Sequence, residues 1–259
     1  MTVPGAFALM VSYDGAAFHG FARQPGLATV QGSLESALSI VTGRPIEIVG
    51  AGRTDAGVHG LGQVVSFPSA PGDPAPAYLK RAVSALAGPE IVVTSVTCAP
   101  RGFSARHDAV EREYRYLLVP GPTPPLALRD RAWWTKKTLD LHAMREAAAH
   151  LVGEHDFRSF CVGPSAEGRK TVRTLGTIDI RPGLELGEHC VVVRITGRSF
   201  LHSMVRIIVG SLVEVGAGKR DTEWIAAALA AQHRGAAGIT APPHGLTLWH
   251  VTYPEDCWL

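Results

Sequence analysis

Short apolar runs of strand length alternate along the chain with stretches of helical period, and they do so in both halves. Residues 7–13 form an apolar run that ends in Asp14-Gly15, the pattern of a strand entering a turn. Thr29 stands where a helix cap belongs, ahead of the stripe Val30, Leu34, Leu38 and Val41, and Gly43 with Pro45 ends that stripe. A strand is predicted over 46–49, a glycine-rich loop over 50–62, a strand over 63–67, a loop over 68–76, a helix over 78–86 and a strand over 91–96. In 114–119 the period is two, with Tyr114, Tyr116 and Leu118 on one face. The proline-rich segment 120–125 is the best boundary by composition. Beyond it, Leu141, Met144, Ala148 and Leu151 stripe a helix, 177–180 and 191–195 read as strands, and Leu201, Val205, Ile208, Leu212 and Val215 stripe a longer helix. A helix over 224–231 and a strand over 248–253 close the chain. This order predicts an α+β protein of two similar β-α-β-rich lobes, 1–120 and 121–259.

Composition narrows the class. At 259 residues, a prior of roughly 150 residues per domain gives about 1.7 domains. Hydrophobic residues at 46% against charged residues at 19% exclude a disordered chain. No apolar run approaches the roughly 18 residues of a membrane helix, and the N-terminal residues lack the basic start of a secretion signal, so a cytoplasmic protein with no membrane attachment is expected. Cys98, Cys161, Cys190 and Cys257 form no close pair, which fits reduced thiols and gives no reason to expect a metal. The net charge of +2 allows a nucleic-acid partner without demanding one.

The segment with the most chemistry is Gly50-Ala51-Gly52-Arg53-Thr54-Asp55-Ala56-Gly57-Val58-His59-Gly60. Its glycines suggest a flexible frame that approaches a ligand closely, and it carries one cation, one carboxylate and one imidazole. It is neither a dinucleotide-binding fingerprint nor a phosphate loop. On composition alone, a plain turn in which Asp55 bonds its own backbone is the commoner reading. Arg206 is the other conspicuous charge, because it interrupts the apolar stretch 204–209 beside the stripe residue Val205, where a cation needs a partner or a cleft.

Arg53-Thr54-Asp55-Ala56-Gly57-Val58-His59 resembles the defining segment of the tRNA pseudouridine synthase A family. The resemblance continues in order along nearly the whole chain. It includes Tyr13-Asp14-Gly15 with Phe18-His19-Gly20, Arg112-Glu113-Tyr114-Arg115-Tyr116, Gly153-Glu154-His155-Asp156-Phe157 with Phe160, 200–206 running into Gly210-Ser211-Leu212, Gly245-Leu246, and Val251-Thr252-Tyr253-Pro254. It implies two ferredoxin-like or RRM-like lobes around a central, mainly antiparallel sheet with an active-site cleft between them. It implies an isomerase that turns uridine into pseudouridine at positions 38–40 of the tRNA anticodon arm, without cofactor or metal, as a homodimer. By the same resemblance Asp55 is the catalytic residue, Tyr114 packs against the uracil, Arg53 serves base flipping, and Arg206 pairs with Asp55. Arg23, Arg106, His59, His202, Arg169 and Lys170 are candidates for RNA contacts.

The sequence departs from the family at Gly20-Phe21-Ala22, in the region 84–86, at Ser104, and in 68–76, whose only charge is Asp73. These positions fall on segments expected to meet RNA. Two alternatives therefore stand beside the tRNA reading: the same chemistry on a free uridine nucleoside or nucleotide or another RNA, and a non-catalytic RNA-binding module.

Overall fold

The computed structural model describes residues 5–162, 168 and 170–258. The chain forms two compact units, Met1–Arg112 with Leu248–Leu259, and Glu113–Thr247.

In the first unit the elements run β1 (Ala6–Tyr13), α1 (Val30–Thr42), β2 (Val49–Gly50), β3 (His59–Pro68), α2 (Pro76–Leu86) and β4 (Ile91–Ala99). β1 is the central strand, antiparallel to β3 on one side and to β4 on the other, so that Leu9 faces Val65 and Val96. β2 adds to β3 through Gly50 opposite Val65. The predicted cap is present, with Thr29 Oγ1 accepting from Gly32 N at 3.3 Å, and Gly43 at φ 69° ends α1. α2 packs on β4 and against α1. The core joins Leu9 and Val11 of β1 to Leu34 and Leu38 of α1 and to Leu79 and Val83 of α2.

In the second unit come β5 (Glu111–Val119), which begins two residues before the unit does, then β6 (Trp133–Trp134), α3 (Leu141–Ala149), β7 (Gly153–Asp156), β8 (Val172–Glu185), β9 (Glu188–Gly197), α4 (Met204–Gly216) and α5 (Trp224–Ala231). β8 and β9 form a long hairpin whose turn, Leu186-Gly187, has positive φ at both residues, the twist that suits a two-residue connection. β7 pairs antiparallel with β8, and β6 pairs with β5. α4 is almost wholly buried and packs on α3. The last strand, β10 (Leu246–Thr252), carries the chain back to the first unit. Among the described residues no helix is long and apolar enough to cross a membrane, and no group of three or more His, Cys, Asp or Glu could hold a metal ion.

The mixed α+β class is present, with mostly antiparallel strands, but three details differ from the sequence reading. The division between units falls at Arg112/Glu113, inside one continuous strand, and the proline-rich 120–125 is a connection within the second unit. The expected strand 46–49 is paired only at Val49, because Ile46 N donates to Ser39 Oγ at 3.0 Å and Ile48 N to Glu35 Oε1 at 3.1 Å instead of to a neighbouring strand. The long helix starts at Met204 and not Leu201, because Ser203 sits in the left-handed region at φ 57°.

A methyl group on Gly210 would overlap the carbonyl oxygen of Ile239, so only glycine lets α4 pass this close to the 234–241 segment. Gly210→Ala is expected to destabilise the protein by about 3 kcal/mol, since the obstacle is backbone. Urea unfolding followed by circular dichroism would check it, and a loss under about 0.5 kcal/mol would contradict the packing.

Candidate active site

The segment bearing Asp55 joins β2 to β3 and is fastened along its length. Ala51 N donates to Val64 O at 2.8 Å. Gln63, fully buried, donates from Nε2 to Gly52 O at 2.9 Å and accepts from Gly52 N at 3.4 Å. Thr54 is held twice: its hydroxyl lies 2.9 Å from the Tyr13 hydroxyl, and its carbonyl accepts from Phe21 N at 3.0 Å. Val58 N closes a turn on Asp55 O at 3.1 Å. Gly20, at φ 99°, passes so near that a Cβ there would press on Thr54 O and Ala56 N at 3.0 and 3.3 Å. The flexible frame suggested by the glycines is therefore a fixed one. Their role is close approach between chain segments.

A second layer lies behind the loop. His59 is buried, and its Nδ1 accepts from Gly15 N at 3.1 Å and lies 3.2 Å from Asp14 Oδ1. Arg112, only 7% exposed, donates from Nε and Nη2 to Ala51 O at 3.2 and 2.9 Å. Its other bonds go to Ala109 O at 3.1 Å and Arg106 O at 2.7 Å. Burial pushes the Tyr13 phenol up to about 12, against the opposing pull of its bonds to Thr54 and Gln63, so it remains protonated at every working pH.

Asp55 itself is half-buried and Arg53 is exposed. A carboxylate on a fixed backbone, next to a cation free to reach solvent, suits a step in which positive charge develops on a sugar.

In the second unit Tyr114 is buried on β5, with its ring edge-on to Phe200 at 5.0 Å and 80°. Arg206 lies on the first turn of α4, half-buried. Its Nε donates to Ala241 O at 2.8 Å while Ala241 N donates to Arg206 O at 3.1 Å. The next carbonyl, Pro242 O, accepts from Tyr116 hydroxyl at 2.7 Å. Burial pushes that phenol far up, opposed by the nearby charge of Arg206. Glu113 receives Arg194 at 2.8 Å and Arg115 at 2.7 Å, and these bonds outweigh its burial and hold its carboxyl below the usual range.

The remaining candidates are dispersed. Arg23 lies beside α1, 58% exposed, 3.1 Å from the buried Glu35 and 3.7 Å from Glu47. Arg106, His202 and Lys170 are exposed, and Arg169 lies outside the described residues. The departures from the family pattern have internal duties. Asp73 pairs with Arg44 at 2.8 Å, Ser84 Oγ accepts from Val93 N at 2.9 Å, and Ser104 accepts from His107 N at 3.4 Å while its own N–H donates to Asp108 at 2.8 Å.

The tRNA pseudouridine synthase family model matches residues 9–108 and 147–254, on both sides of the segment containing β6. The chain belongs to the tRNA pseudouridine synthase family. It is 42% identical over 248 residues to the tRNA pseudouridine synthase A of Bacillus subtilis, an alignment covering 94% of this chain and 97% of that one. Identity to the protein of the same name from Syntrophotalea carbinolica is 43% over 251 residues, covering 96% and 97%. For Pseudomonas aeruginosa it is 41% over 250 residues, covering 96% and 86%. Of the sequence-predicted residues, all but Arg169 fall within the described structure. The residues the sequence reading did not single out, Gln63 and Arg112, are polar groups at inward-facing strand positions. Arg112 stands two residues before Tyr114, in phase with the buried face, which was a readable signal.

Tyr13→Phe removes the Thr54 bond while keeping the ring. The expected cost is about 1 kcal/mol, measured by thermal unfolding, with a matching loss of the far-alkaline phenol titration. An unchanged stability would show that the bond does not hold the loop.

Proposed function

We propose that Asp55 is the group that acts on the uridine of the substrate, with the base held by Tyr114 and the carboxylate paired with Arg206. As a member of its family the protein is an isomerase that converts uridine to pseudouridine in tRNA. The observation that carries the assignment is the placement of Asp55: it is the one carboxylate on a loop whose backbone is fastened at Ala51, Gly52, Thr54 and Val58.

The chemistry balances without an oxidant or reductant. The bond from the anomeric carbon to N1 breaks, the uracil turns, and the same carbon bonds to C5. C5 gives up its proton and N1 takes one. Cleavage leaves positive charge on the sugar, which a carboxylate held at the anomeric carbon stabilises or traps. A fixed carboxylate avoids reorganisation during that step. The released base needs a surface to rest on while it turns. Tyr114, stiffened by Phe200, offers a ring that cannot swing away.

The target is proposed to be the anticodon arm, positions 38–40, bound by a cytoplasmic homodimer whose units are built as ferredoxin-like lobes. Arg53 serves base flipping, and Arg106, His202, Lys170 and Arg169 meet phosphates. Arg23 is proposed to join them only by giving up Glu47, its weaker partner. His59 is proposed to brace the loop from behind. The reading in which the substrate is a free uridine compound draws on the altered segments. Asp73, Ser84 and Ser104 instead serve internal contacts, which favours the tRNA reading.

Purified protein offered unmodified tRNA transcript and uridine monophosphate in parallel, with pseudouridine scored by mass spectrometry, tests the proposal. Product is expected at positions 38–40 of tRNA alone. Asp55→Asn, which keeps the shape and removes the charge, is expected to lower the rate by at least about 1,000-fold, the scale of losing a group that acts directly at the reacting centre. Product from the monophosphate, or an active Asp55→Asn enzyme, would overturn it.

A further inference from the structure

The Asp55 loop is anchored to the far end of the chain by an unbroken series of contacts. Tyr253, just beyond β10, donates its hydroxyl to Ala105 O at 2.6 Å. Its ring is one of three that close on each other, with Phe103 at 5.4 Å, Trp258 at 5.4 Å, and Phe103 to Trp258 at 5.5 Å. The segment so pinned, 103–110, is tied to β3 by Ala105 N donating to Ser66 Oγ at 2.9 Å and to β10 by Val110 N donating to Thr252 O at 2.9 Å. It then presents the carbonyls of Arg106 and Ala109 to Arg112. Arg112 in turn delivers two N–H groups to Ala51 O, four residues before Asp55. Burial has pushed the Tyr253 phenol up despite the opposing charge of Arg112, so its hydroxyl remains a donor.

We infer that Arg112 is a positioning residue for Asp55, and that the C-terminal aromatic cluster acts through it. This rests on the assignment of Asp55 as the acting carboxylate. The chemistry of the side chain explains why arginine is needed. A guanidinium offers five N–H donors in one rigid plane, and here that plane serves three carbonyls on three different peptides. An ammonium carries the same charge but cannot span them with fixed geometry. Loss of the fork frees the Ala51 peptide to shift, and the carboxylate moves with it. A shift of about 1 Å at a reacting group costs on the order of 100-fold in rate.

The test compares wild type with Arg112→Lys and Tyr253→Phe on unmodified tRNA, reading kcat and KM separately and thermal stability alongside. Arg112→Lys is expected to lower kcat by on the order of 10- to 100-fold with KM within about two-fold, because the residue orients the carboxylate and does not touch RNA. Tyr253→Phe, a milder change outside the loop, is expected to lower kcat by about three-fold in the same pattern, which preserves the test should Arg112→Lys fail to fold. A folded Arg112→Lys with unchanged kcat, or a rise in KM at constant kcat, would overturn the inference. So would an unaltered Tyr253→Phe enzyme. Asp55→Asn assayed in the same series separates the two assignments. If it is inactive while both other variants keep full kcat, Asp55 stands and Arg112 does not. If it is active, the reading of Asp55 itself fails.

Discussion

The carbonyl of Ala51 is the fixed point on which the site in the first unit depends. It accepts two N–H groups from one buried guanidinium, while the N–H of the same residue is spent on β3. A loop rich in glycine loses more conformational freedom on ordering than any other kind, so it stays in one shape only when its peptide groups are taken up individually. Here they are, by Arg112 at Ala51, Gln63 at Gly52, and Tyr13 and Phe21 at Thr54. Each bond to a buried partner also carries a penalty if broken, since the group left behind has no water to turn to. The loop is therefore held less by attraction at any one contact than by the cost of leaving several buried donors unmet.

The second unit reaches the same end by other means. Tyr114 is fixed by ring contact with Phe200, and Arg206 by a two-way exchange with the Ala241 peptide. The segment 241–242 thus sets both the arginine and, through Pro242, the Tyr116 phenol. α4 can present Arg206 there because Gly210, one turn on, lets the 234–241 segment lie against the helix. Packing deep in the helix and direction at its first turn are one problem with one solution.

Much of this was legible in the sequence, for reasons that are local. The Thr29 cap, the Gly43 stop and the period-two burial of Tyr114, Tyr116 and Leu118 follow from the residues themselves. Trp224–Ala231 forms a helix over the span its composition predicts. What was not legible depends on partners far along the chain. Residues 46–49 read as a strand, but the N–H groups of Ile46 and Ile48 go to side chains of α1. Ser203 ends a helical pattern through backbone conformation alone, which no periodicity records. Asp55 stood out by its neighbours, whereas the residues that hold its loop, Gln63 and Arg112, looked like ordinary strand members until the structure showed what their polar ends reach.

If its fastened peptides hold the Asp55 loop rigid before substrate arrives, amide hydrogen exchange in the free protein reads this directly. The amides of Ala51, Gly52 and Val58, which have acceptors in Val64 O, Gln63 Oε1 and Asp55 O, are predicted to exchange at rates comparable to those of β3. Exchange of these three amides at the rate of an open surface loop, with β3 still protected, would contradict the account.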